Sequence, residues 1–506
     1  MSKRRREDEA AVGETAEDIA AIAKGGRTNV FGFFLRLAAR IPFLLIAGRA
    51  AEYGPAALGR FASALVVIEL TAMVCTLGEK RGLAQRLSES EANPANVVAD
   101  SLLVAFLASS GMALLFWLFP APLFPGGEYS EIDRLMVIAI PPLALTEIWL
   151  AGLAYRYNIK ATVRARAIVE PWTLSIMAGV MIFVAPASGL SVAYIVSIFA
   201  AALTALVPFL MEYGTPKGWR FHPQRVGQMT LRSLPLALAD AIEWGTRRID
   251  VLILGWFAAP AAVGVYYVAQ QVASLPQKLK TSFEPILGPV ITRALKDKDF
   301  AAIGKQVRQV GFWIVAAQAG VALALGIPGE GVMGLIGPEF VGGTGALAFL
   351  LAAEVIAATA VVSEAALIYI ARVKNMLLSI ATIGLQAMLS VVGILLVERL
   401  GLSDLYRAAA VAAALALALG FASLAKSLTL SRLIGEPVNN WRWAVVWAAA
   451  PAILVGWIAT QFLPEWAELV FGIPAILAAY GFVIWTRGFG AEDRVLFRKQ
   501  RPEPAE

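Results

Sequence analysis

The sequence predicts an all-α polytopic membrane protein of roughly fourteen transmembrane helices: two six-helix lobes in a pseudo-two-fold relation, with two more helices at the C-terminal end. Three observations lead there. Of 506 residues, 58% are hydrophobic and 16% charged, and the mean hydropathy of +0.69 is too high for a chain that must show water a polar surface. Apolar runs of about twenty residues, the length that crosses a bilayer as helix, recur along nearly the whole chain. Finally, Gly48 and the turn Pro55-Ala56-Ala57-Leu58-Gly59-Arg60-Phe61 are echoed by Gly255 and Pro260-Ala261-Ala262-Val263-Gly264-Val265-Tyr266, so two halves share a design.

Residues 1–28 open with Lys3-Arg4-Arg5-Arg6 and read as a cytoplasmic tail without the apolar core of a cleavable leader. Thr15-Ala16-Glu17-Asp18 is a capping box, compatible with a short interfacial helix or a disordered arm. The N-lobe, 29–212, has spans at about 29–51, 61–78, 97–119, 135–154, 168–186 and 190–211. Its basic residues gather after the second span (Lys80, Arg81, Arg86), the fourth (Arg156, Lys160, Arg164, Arg166) and the sixth (Lys217, Arg220, Arg225, Arg232). Basic loops mark the cytoplasmic side, and the loop at 120–134, rich in Pro, Gly and acids, is accordingly outside.

A cytoplasmic linker, 213–232, leads to the C-lobe, 233–427. Spans seven and eight lie within 231–293, span nine at about 309–327 and span ten at about 345–370, with a Gly-rich outer loop at 328–344 between the last two. Spans eleven and twelve pair near Glu398-Arg399. The additional spans thirteen and fourteen occupy 428–486, and 487–506 is a second cytoplasmic tail, rich in Arg and Lys.

Cys75 has no partner for a disulfide and His222 none for a metal cluster, so neither a metal nor another cofactor is expected. The net charge of +6 belongs to cytoplasmic loops rather than to a nucleic-acid surface. A nucleophile motif, a phosphate-binding loop and a catalytic extramembrane domain are all missing from the pattern, which argues against an enzyme.

Charge inside lipid is costly and usually faces a cavity or a partner. Span one carries Arg36 and Arg40 on one face and Arg49 near its far end. Arg40 falls about 15 Å into the span, near the midplane, whereas Arg36 is placed to snorkel. Glu69, at the middle of span two, is a partner for Arg40 or a cavity acid. On span seven, Asp240, Glu243, Arg247 and Asp250 fall within an arc of roughly 80°, with Arg248 to one side. Glu243 precedes Arg247 by one turn, the favourable sense for an ion pair. The stripe is therefore either a self-neutralised seam or the lining of a water-filled cavity where carboxylates take up a proton or sodium ion and cations hold an anionic group. Span eight adds Pro276, Lys278, Lys280, Glu284, Pro285 and Pro289, a kinked helix, while Glu354 and Glu364 are single acids in span ten.

Four stretches carry a family resemblance: RAAEYGPAALGRF at 49–61, DVLILGWFAAPAAVGVY at 250–266, Ala269 to Pro276 followed by the spaced Pro285 and Pro289, and GLIGPEFVGG at 334–343. They resemble bacterial polysaccharide (O-antigen or exopolysaccharide) exporters, grouped with lipid II flippases and multidrug extruders in the multidrug/oligosaccharidyl-lipid/polysaccharide superfamily. The resemblance implies two lobes around an alternately open cavity that moves a polyprenyl-diphosphate-linked oligosaccharide outward across the cell inner membrane, beside other polysaccharide-assembly proteins. By place in the motif, Arg49 matches the span-one arginines that line the cavity of lipid II flippases. Gln271 stands where those flippases have a span-eight arginine, so Arg36, Arg40, Arg247 or Lys278 would have to bind the diphosphate here. Glu69, Asp240, Glu243 and Asp250 are the candidates for ion coupling or cavity electrostatics. The competing reading, an ion-coupled multidrug extruder, would prefer an acid on span one, where this chain has arginines. A membrane-embedded polymerase or glycosyltransferase would need a longer loop than any present.

Overall fold

The computed structural model describes residues 38–89, 93–281 and 291–490, together with Asp493. The chain divides into two compact units after Gly245. The first contains α1 (38–49), α2 (Gly54–Cys75), α3 (Glu79–Glu89), α4 (Pro94–Leu118), α5 (Glu131–Tyr155), α6 (Ile159–Val184), α7 (Gly189–Tyr213) and the start of α8 (Pro223–Phe257). The second takes the rest of α8 and α9 (Pro260–Thr281), α10 (Phe300–Gly326), α11 (Gly329–Ile336), α12 (Thr344–Ala358), α13 (Val361–Ile370), α14 (Arg372–Arg399), α15 (Asp404–Ile434), α16 (Ala444–Phe462) and α17 (Glu465–Gly488).

Local chemistry sets these boundaries. Asn93 accepts from the Ala95 amide ahead of Pro94, whose missing N–H costs nothing in a first turn. Ser130 and Asp133 form a reciprocal capping box at the start of α5. Asp299 caps α10 through the Ala302 amide, and Gly435 in the left-handed conformation ends α15.

Eleven helices among the described residues are long and apolar enough to cross a membrane. Neither α8 nor α9 is among them: α8 contains Asp240, Glu243, Arg247, Arg248 and Asp250, and α9 is made too polar by Tyr266, Tyr267, Gln270, Gln271, Ser274 and Gln277. Large apolar side chains such as Phe183, Trp447 and Phe462 lie exposed on the surface, as lipid-facing positions do. Between helices the residues are small: Ala39, Ala62, Ala205, Ala408, Ala412 and Ala418 are all buried, allowing the close approach on which helix association in lipid depends.

Four expectations need correction. The segment from Glu79 to Arg86 is a helix, not a loop; its Leu83 and Leu87 pack into a core with Val98, Ile148, Leu153 and Phe209, so one apolar face suffices to fold it. The stretch 213–232 is helical from Pro223 onward and continuous with α8. The loop at 328–344 contains α11 and a 3-10 turn, Pro338–Gly343. Span ten is broken at Thr359 and Ala360 into α12 and α13, both amides bonding only three residues back.

Candidate functional site

Arg40 is half-buried on α1 and Arg49 exposed at its end, while Glu69 is half-buried on α2; each interacts with a neighbour. The hydroxyl of Ser175 on α6 donates to the Ala39 carbonyl at 2.5 Å and holds α1 at this point. Arg36 lies outside the described residues, as do the side chains of Glu243, Arg247, Lys278 and Lys280 and all of Glu284, Pro285 and Pro289.

Asp240 does not stand in an open polar stripe. It is 3% exposed, and its Oδ1 lies 2.6 Å from Nε of Arg81 on α3. The same short helix makes two further ties. Glu79, 1% exposed, accepts from Ser233 of α8 and Ser101 of α4, both at 2.7 Å, and from Arg86. Lys80 reaches Glu147 of α5 at 2.8 Å, a carboxylate it shares with Arg166 of α6. Arg166 also lies 2.5 Å from Glu170, and a local widening of α6 carries it: over Val163–Val169 the helix adopts π geometry, with the Glu170 amide reaching the Ala165 carbonyl just before Pro171, which has no amide to donate. Helix α3 is thus a polar clasp on α4, α5 and α8, and its charges are neutralised within the fold.

Asp250 sits in a second network, between α8 and α9. It is fully buried; Tyr266 donates to its Oδ2 at 2.6 Å and Gln270 at 3.0 Å, while the Val251 amide donates to Oδ1 at 2.9 Å. Arg248 donates to the Gln270 carbonyl oxygen at 2.8 Å, extending a chain of carboxylate, amide and guanidinium. Glu364, one of the single acids, pairs with buried Lys426 of α15 at 2.8 Å. Gln271 is buried, and its Nε2 has no hydrogen-bond partner among the described residues. No group of three or more His, Cys, Asp or Glu among those residues could hold a metal ion.

These networks tie helices together, and comparison with known proteins places the chain. A family model described as polysaccharide biosynthesis protein matches residues 53–323. The chain belongs to that family. No curated protein sequence matches it. Among solved structures, this chain is similar to the lipid II flippase MurJ in its inward closed conformation, with a TM-score of 0.73 at 11% identity over 93% of this chain and 99% of that one. It is also similar to an inward-facing MATE multidrug transporter of the MOP superfamily, with a TM-score of 0.63 at 14% identity over 79% and 94%. An outward-facing MATE transporter gives 0.54 at 14% identity over 82% and 96%. The chain therefore has a MurJ- and MATE-like fold.

Sequence reasoning missed several polar partners in this family member. Tyr266 and Gln270 lie four apart on one face of α9, a signal that could have suggested a shared acceptor. Nothing local announces that Arg81 meets Asp240 or that Glu79 meets Ser233, because these contacts join distant parts of the chain.

Proposed function

We propose that the protein moves a polyprenyl-diphosphate-linked oligosaccharide from the cytoplasmic to the periplasmic leaflet of the cell inner membrane by alternating access, during assembly of a surface polysaccharide. The family match over residues 53–323 is the observation that carries this reading. In it the chain spans the membrane fourteen times with both termini cytoplasmic, as an N-lobe, a C-lobe and an added pair of spans. Arg40 is the first choice for the diphosphate, with Arg36, Arg49, Arg247 and Lys278 as further cations. A diphosphate brings at least two negative charges, and a guanidinium fork matches its oxygens better than an ammonium does. Asp250, Asp240, Glu243 and Glu69 are the acids through which an ion gradient would act.

The test is reconstitution. Proteoliposomes containing the purified protein and a fluorescent polyprenyl-diphosphate oligosaccharide should expose the sugar on the opposite leaflet, where an added glycosidase removes it. Exposure no faster than in protein-free liposomes overturns the reading. Cysteines placed at Ser130 and Thr344 should react with an impermeant reagent from outside, as the proposed topology requires.

A further inference from the structure

Nothing in its own sequence asks span ten to stop at Thr359. From Ala352 to Leu367 it holds neither glycine nor proline and is rich in alanine, the strongest helix former. The helix nevertheless ends at Ala358 and restarts at Val361. Interruptions without a breaker residue arise where another side chain enters the i→i−4 ladder, and two do so here. The Asn440 amide nitrogen donates to the Thr359 carbonyl at 2.8 Å, and the Ser423 hydroxyl to the Ile356 carbonyl at 3.0 Å. In an unbroken helix those carbonyls would receive the amides of Ser363 and Ala360. Instead the Ala360 amide turns to Ala357, and the amides of Val361, Val362 and Ser363 make no hydrogen bond among the described residues. The Ser363 hydroxyl, fully buried, also lacks a partner there.

Asn440 belongs to the connector between α15 and α16, 435–443, and is buried. Gly311 of α10 makes room for it: a Cβ there would lie 2.2 Å from the Asn440 Nδ2 and 2.9 Å from its Cβ. Lys426, one turn beyond Ser423 on α15, holds Glu364 past the break at 2.8 Å, through a side chain long enough to follow α13 if it shifts. Beside the break lies a cavity of 1090 Å³ whose lining includes Thr359, Ser423 and Asn440, so α12 and α13 have space in which to realign. An unpaired buried amide costs about as much as a lost hydrogen bond. The two-piece form is therefore costly by itself and is kept by the side chains inserted into it.

We propose that Asn440 is a wedge that keeps span ten in two pieces, with Ser423 as its second edge, and that residues 356–364 close into one helix when it withdraws. The connector to the added spans α16 and α17 thereby controls the shape of a helix elsewhere in the second unit. Span ten is then a two-state element, with the two packings set by one buried side chain.

Hydrogen exchange of the full-length protein in nanodiscs, read by mass spectrometry at single-residue level over 355–366, tests this. Asn440→Leu keeps the side chain's size and removes its donor. Exchange at Val361, Val362 and Ser363 should then slow at least about tenfold as these amides gain carbonyl partners, while the interior of α12 at 349–354 stays unchanged. Adding Ser423→Ala should slow it further. Gly311→Ala, which displaces the Asn440 amide without altering that residue, should slow the same three amides and supplies the readout if Asn440→Leu does not fold. A side chain that merely supports the fold would, on removal, speed local exchange. Faster or unchanged exchange at the three amides in either folded variant overturns the proposal.

Discussion

Arg81 Nε and Asp240 Oδ1 stand 2.6 Å apart, joining α3 to α8 with the carboxylate buried and the guanidinium half-exposed. The asymmetry has a consequence. Losing the arginine leaves a buried charge short of its cation, whereas losing both leaves only a smaller polar group. Arg81→Ala should therefore destabilise the protein by about 1–3 kcal/mol, and adding Asp240→Asn should recover part of the loss. Thermal unfolding of the two single variants and the double variant in nanodiscs measures the coupling; strictly additive effects would show that the pair contributes nothing as a pair.

Gly78 provides a steric counterpart to that ion pair. Its φ is +78°, and a Cβ there would stand 2.4 Å from the Ser233 carbonyl oxygen and 2.8 Å from the Ala237 amide. Gly401 shares the conformation, at φ +66°, but has open space around it. Gly401→Ala should cost about 1–2 kcal/mol from backbone strain alone, while Gly78→Ala adds a clash with α8 and should reduce the monodisperse yield sharply. Size-exclusion profiles of the two variants compare them directly, and equal yields would mean that α3 and α8 can separate at no cost.

Tyr266 supplies one of three donors to buried Asp250. Tyr266→Phe keeps the ring packing and removes only the hydroxyl, so the expected stability loss is about 1–3 kcal/mol. If Asp250 also serves ion coupling, as proposed above, transport by Tyr266→Phe should change its dependence on the imposed gradient while substrate binding stays near wild type. A flipping assay at several gradient magnitudes reads the difference.

Arg40 is the residue on which the proposed diphosphate contact turns. Arg40→Ala should abolish complementation of a flippase-deficient strain at near-normal membrane abundance, and Arg40→Lys should restore it at best partly, because a point charge cannot reproduce the bidentate fork. Wild-type flipping by well-folded Arg40→Ala protein in proteoliposomes would remove Arg40 from the site.

Much of the fold was legible because span-length apolar runs are local signals. Asn93 with Pro94, Ser130 with Asp133 and Gly435 are further local end signals, which the reading of spans did not use. Helix α3 was not legible: its mixed charge reads as a loop until Leu83 and Leu87 are seen packed on Val98 and Ile148. The broken tenth span escaped for a different reason, since Thr359 and Ala360 carry no breaker signal and the interruption comes from their surroundings.

The sequence by itself determined that the chain lives in a bilayer, where most of its long apolar segments run, and which family it resembles, because hydropathy and motif spacing are properties of contiguous residues. Only the tertiary structure decided what the intramembrane charges do. A wheel of α8 places Asp240 and Asp250 on one face, yet Asp240 is held by Arg81 of α3 and Asp250 by Tyr266 and Gln270 of α9. A buried charge takes its meaning from the partner that compensates its lost hydration, and which partner that is depends on how distant segments pack.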